Sequence, residues 1–226
     1  MGGTAGHVVR RKTHRNLGLI DSALDTIINP RRAFSRVAEH PRILPPLLFV
    51  VIATLVMYIA LGSAFETRLL EALERAGIEA TPRLVWLVLG LGGVFGLVQV
   101  VVFTLVAGLI THAVARLLGG SADAHCSVAC YALAMIPSGF KAITVAVLAF
   151  LLGAENVPLT TGGVYSGGAL LTLFDPFSLW AALLLGMGLA KIHGLSIVRA
   201  FGISFSIFVV GWAMSAALTA AQGALV

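Results

Sequence analysis

Five long apolar stretches follow a basic, polar first forty residues, and they decide the solvent in which this chain folds. They run over about Ile43–Phe65, Leu84–Ala115, Ser127–Leu152, Phe177–Ala190 and Val198–Ala220. A bilayer core about 30 Å thick takes roughly 20 apolar residues in a helix. The first, second and fifth stretches reach that length, the third does if Lys141 is tolerated, and the fourth is short unless its helix begins near Leu170. A charged fraction of 11% and a mean hydropathy of +0.98 exclude an ordinary soluble domain. The expected fold is all-α: a polytopic membrane protein, a five-helix transmembrane bundle with cytosolic amphipathic helices at its N-terminus. The expected division is a disordered basic segment over 1–16, interfacial helices over 17–41 and a membrane domain over 42–226. Its spans are expected near 43–65, 84–115, 127–152, 174–190 and 198–220. The first stretch starts late, is too long and lacks a small-residue cleavage site, so it is not read as a signal peptide.

Lys and Arg set the orientation. Eleven lie before the first span or in the turns after spans two and four, Arg42, Arg116, Lys191 and Arg199 among them. Only three, Arg68, Arg75 and Arg83, lie in the loop after span one. The split places the N-terminus in the cytosol and the C-terminus outside a cell inner (cytoplasmic) membrane. The net charge of +5 sits beside the first span, which points to anionic headgroups and not to nucleic acid.

Leu17, Ile20, Leu24, Ile27 and Ile28 recur at helical spacing. Asn29-Pro30 then restarts the helix, with Asn suited to the N-cap and Pro to the first helical position. From Pro30 to His40, Ala33, Phe34, Val37 and Ala38 share one side, and Arg31, Arg32, Ser35 and Arg36 the other. The pattern fits a helix lying in the membrane interface. It also fits a short helix packed on the cytosolic end of the bundle, and the two are compatible. Arg31, Arg32, Phe34 and Arg36 are the candidate lipid- or partner-binding residues, with the arginines supplying charge and Phe34 the anchor.

Polar residues within the spans are few, and each asks for a reason, because a charge in the bilayer costs several kcal/mol. His112, Lys141 and Asp175 form the candidate intramembrane polar site. Asp123–Met135 reads as a mildly amphipathic helix, followed by Pro137-Ser138-Gly139. If 122–136 lay flat, only about 14 residues, or about 21 Å, would remain to cross. A kinked span with Lys141 facing the bundle interior fits better. Lys141 can pair with Asp175 if Asp175 reaches inward from the outer end of span four. Lys141 then either ties the kink or serves as a binding or proton-linked charge. His112 reads as an interfacial hydrogen bonder. Gly92 and Gly96 form a G-x-x-x-G, read as close helix packing or as a break beside a path. Cys126 and Cys130, one turn apart, read as small apolar residues and not as a metal site. No metal or other cofactor is expected. G-x-S-x-G, H-E-x-x-H, P-loop and Rossmann patterns are absent, and no carboxylate is placed to orient His112 beside Ser138. The chain is therefore not read as an enzyme.

Four motifs follow one another along the chain. Asn29-Pro30-Arg31-Arg32-Ala33-Phe34 precedes span one, and Tyr131-Ala132 with Ile136-Pro137 begins span three. Asp175-Pro176-Phe177-Ser178-Leu179-Trp180 opens span four, and Gly186-Met187-Gly188-Leu189-Ala190 follows. In this order, over about Leu17 to Leu218, the chain resembles the bacterial branch of the Yip membrane-protein family (Ypt/Rab-interacting proteins). The resemblance implies a five-helix membrane domain with a cytosolic N-terminus. It also implies structural roles for Asn29, Pro30, Pro137, Pro176, Phe177, Trp180, Gly186 and Gly188. In eukaryotic members it implies partnership with small Rab-type GTPases, and with one another, in vesicle traffic. The composition, heavy in Ala, Val and Arg, looks like a GC-rich bacterial gene, a setting without Rab traffic. The function expected is a non-enzymatic membrane scaffold or adaptor, acting through lipid or protein contacts. It is expected as a homo-oligomer or with a membrane-protein partner. The alternative is a small-solute or ion transporter or channel, with Lys141 and His112 lining the path.

Overall fold

The computed structural model describes residues 19–157 and 175–223. The segment expected to be disordered, 1–16, and most of the Gly153–Thr172 loop lie outside these residues. Among the described residues the chain is helical throughout, with no strand. An N-terminal pair, α1 (Leu19–Ile28) and α2 (Pro30–Glu39), precedes α3 (Leu44–Ala60) and α4 (Gly62–Arg75). Then come α5 (Pro82–Leu117), α6 (Ala124–Ala134), α7 (Ile136–Leu152), α8 (Pro176–His193) and α9 (Ile197–Gly223).

Four runs are long and apolar enough to cross a membrane: α5, α6 with α7 as one run, α8, and α9 as far as Met214. A fifth exists only if α3 and α4 count together, and they bend by 62°. This bend divides the expected first span, 43–65. Its helix stops at Ala60 after 17 residues, about 26 Å, and Phe65 belongs to α4. Glu66, Arg68, Glu71, Glu74 and Arg75 are all exposed on α4, and such charges are costly in hydrocarbon.

The core is built around α6. Every residue from Ser127 to Pro137 is buried, so the expected mild amphipathicity of this segment is not seen. A helix of Ala, Val, Cys, Leu and Tyr with no charged face fits an interior surrounded by other helices. Here α2, α5 and α8 surround it. Pro137 falls in the first turn of α7, where its missing N–H leaves no bond unmade. Beside α7, α3 runs parallel. The Phe49 ring lies 5.1 Å from Phe140 at one end, and Leu61 packs with Val145 and Ala149 at the other. Along α8 lies α9, brought close by Gly186. A Cβ there would meet the Phe201 ring at 2.9 Å.

Candidate functional site

The rise of α8 over its 18 residues, about 27 Å, separates two polar clusters. At its N-terminal end Asp175 caps the helix, and Pro176 fills the first position. Asp175 Oδ1 accepts the Phe177 N–H at 3.2 Å, and Oδ2 accepts the Ser178 hydroxyl at 2.8 Å. Lys141 Nζ donates to Oδ2 at 2.7 Å. The Asp175 side chain is 2% exposed and that of Lys141 24%. A carboxylate can be buried this deeply because an ammonium and two further donors satisfy it. The position of Lys141, one turn past Pro137 on α7, sets the reach. Trp180 stacks on Phe140 beside the pair, with centroids 6.4 Å apart.

At the other end of α8 lies His193, buried, with Gly194 in the left-handed conformation turning the chain toward α9. The Ser127 hydroxyl donates to the Asp123 carbonyl at 2.8 Å. It also lies 3.0 Å from His112 Nδ1 and 3.0 Å from His193 Nε2. A hydroxyl has one proton and two lone pairs. With the hydroxyl proton on the Asp123 carbonyl, its two lone pairs face His112 Nδ1 and His193 Nε2, each of which can donate to it. His193 Nδ1 is buried with no hydrogen-bond partner among the described residues. The His193 carbonyl accepts both the N–H and the hydroxyl of Ser121, each at 3.2 Å. The Asp123 carboxylate accepts the Cys126 N–H at 2.7 Å, and that bond holds its pKa below the ordinary carboxylate value. The cluster is a hydrogen-bonded strap tying α5, α6 and α8. No group of three or more His, Cys, Asp or Glu suited to a metal occurs among the described residues.

A family model described as the Yip1 domain matches residues 24–218. The chain belongs to the Yip1-domain family. With its apolar helices, this makes it a multi-pass membrane protein. No curated protein and no solved structure matches it. Both polar clusters fall inside the matched Yip1 domain.

Within the Yip1 domain, the structure joins Lys141 to Asp175 and sets His112 apart from them. Between the two ends α8 buries Ala181, Leu184, Leu185 and Leu189, so Lys141 and His112 do not line one polar route. Phe34 requires a correction. Its ring is fully buried and seated on Gly188, where a Cβ would meet it at 2.7 Å and would also meet the Cys130 sulfur. Ala33, Phe34 and Val37 of this face are covered by α6 and α8, so the Phe34 ring anchors the helix to the protein and not to lipid or a partner, while Ala38 stays exposed. Arg36 is held by an ion pair to Asp25 on α1, while Arg31 and Arg32 are exposed. Asn29 caps α2 by accepting the Arg32 N–H at 3.3 Å. Ser127 and His193 were missed as site residues. They are 66 positions apart, and only the tertiary fold joins them.

Proposed function

We propose that this Yip1-domain protein is a non-enzymatic membrane scaffold or adaptor. In this reading its N-terminal helix pair presents Arg31 and Arg32 to anionic headgroups, or to an acidic partner surface, at the cytosolic face of a bacterial inner membrane. One observation carries the reading: α2 is docked through Phe34 into the notch at Gly188 with Arg31 and Arg32 outward. A helix already seated on the bundle gives up little conformational entropy on binding. Near an anionic surface each basic residue is worth about 1 kcal/mol. The orientation is supported by the eleven-to-three division of basic residues. Arg36 leaves the binding set because Asp25 engages it. The transporter reading has less behind it, since Lys141 is neutralised by Asp175 and His112 lies at the other end of α8.

The test is the double reversal Arg31→Glu with Arg32→Glu in the full-length protein. Cross-linking in native membranes and co-purified anionic lipid are read together, with thermal unfolding as control. The expected result is loss of the partner or the lipid at unchanged unfolding temperature. Unchanged capture of both contradicts the reading.

A further inference from the structure

We propose that the outer face of α5 around Gln99 is a two-fold interface with a second copy of this chain. Gln99 lies sixteen residues after Arg83 and seventeen before Arg116, near the middle of a 36-residue helix. It is exposed and, among the described residues, makes no hydrogen bond. The other polar side chains of this helix interior are satisfied. Thr104 and Thr111 donate to the Val100 and Ala107 carbonyls at 2.8 and 2.7 Å, and His112 is tied to Ser127. Gln99 is the exception, and in hydrocarbon a carboxamide without a partner is costly.

Its neighbours make the face a seam. Gly92, Phe95, Gln99, Val102 and Val106 recur at spacings of three and four, all exposed. Such spacing lines up one stripe along a helix and suits packing against another helix. At Gly92 a Cβ would meet nothing within 4 Å, so a backbone can approach there. The inward face of α5 is separate. Gly96 lies against Tyr58, and Thr104, Ala107, Gly108 and Thr111 are buried.

The occupant follows from the chemistry of the amide. Copies of one chain share one orientation in a membrane, so a two-fold axis relating them runs along the membrane normal. A residue near that axis meets its own counterpart at the same depth. A glutamine carboxamide carries both donors and an acceptor, so two of them can exchange a pair of hydrogen bonds. Lipid tails offer neither group, whereas a second copy always brings the match. This inference does not depend on Arg31 or Arg32, and failure of the recruitment test leaves it standing.

Disulfide mapping in native membranes tests it, using the full chain with Cys126→Ala and Cys130→Ala as background. Phe95→Cys, Gln99→Cys and Val102→Cys should give self-linked dimers on mild oxidation, and Val94→Cys and Val101→Cys, more than about 100° round the helix from the middle of the stripe, should not. In purified protein reconstituted into phosphatidylglycerol-containing vesicles, Gln99→Leu should weaken self-association about three- to thirtyfold. Gln99→Asn should restore part of it. An unfolding temperature for Gln99→Leu no lower than wild type separates association from folding. Cross-links without this periodicity, links only to a different protein, or unchanged self-association in Gln99→Leu would each overturn the proposal.

Discussion

The two ends of α8 solve one problem in two ways. At its N-terminal end a buried carboxylate is balanced by a lysine and two local donors, so full charges are kept inside an apolar bundle. At its C-terminal end two imidazoles share one serine oxygen, so polar groups are held by hydrogen bonds with no ion pair among them. The charged end depends on one pairing and is fragile to loss of either partner. The histidine–serine end spreads its bonds over three helices, so one loss leaves a polar group short of a partner. Between them, Phe34 seats the N-terminal pair on Gly188, and the Cys126 thiol donates to the Val37 carbonyl at 3.8 Å.

The largest expected effect breaks the charged end. Asp175→Ala leaves Lys141 without its counter-charge and removes the cap of α8, for a loss of about 3 kcal/mol. Thermal unfolding in lipid nanodiscs checks it, and the neutral pair Lys141→Met with Asp175→Asn should recover most of the loss. If the double variant is no better than Asp175→Ala, the two side chains are not coupled.

A smaller loss is expected at the histidine–serine end. Ser127→Ala removes the partner that both imidazoles share, costing about 2 kcal/mol in the same assay. An effect equal to that of Asp175→Ala would erase the contrast between the two ends. The smallest effect sharpens the contrast by pH. Asp123 has an ordinary pKa of 3.8 that is lowered in the folded state by the Cys126 N–H. Its capping contribution is therefore full above pH 3.8 and is lost as pH falls through the lower folded value. Asp123→Ala should cost about 1 kcal/mol at neutral pH. It should also flatten this acid limb of an unfolding series, and an unchanged limb would remove Asp123 from the account.

Local chemistry was the legible part of the sequence. Asn29-Pro30 and Asp175-Pro176 each place a cap before a helix-starting proline, and both do so in the structure. Lys141 and Asp175 stand out because charge is rare in apolar runs, and their pairing can be conceived on condition that Asp175 reaches inward. Meeting that condition across 34 positions takes the tertiary fold. The bend after α3 is hidden because apolar content runs smoothly from Ile43 to Phe65, while the charges of α4 lie just beyond. The two faces of α2 could be read from spacing, but not what would cover them, since lipid and a protein core ask for the same side chains. Ser127 carried no signal at all, as a serine near a helix start is ordinary.

The N-terminal pair and the histidine–serine end lie at one end of the bundle, and the far end of α7 lies at the other. Arg32→Cys, Lys191→Cys and Glu155→Cys, each in the Cys126→Ala and Cys130→Ala background, can be labelled in sealed vesicles with a membrane-impermeant thiol reagent. All three positions are exposed. Arg32→Cys and Lys191→Cys should label from one side and Glu155→Cys only from the other. Labelling of Glu155→Cys and Lys191→Cys from the same side, or of Arg32→Cys and Lys191→Cys from opposite sides, would contradict it.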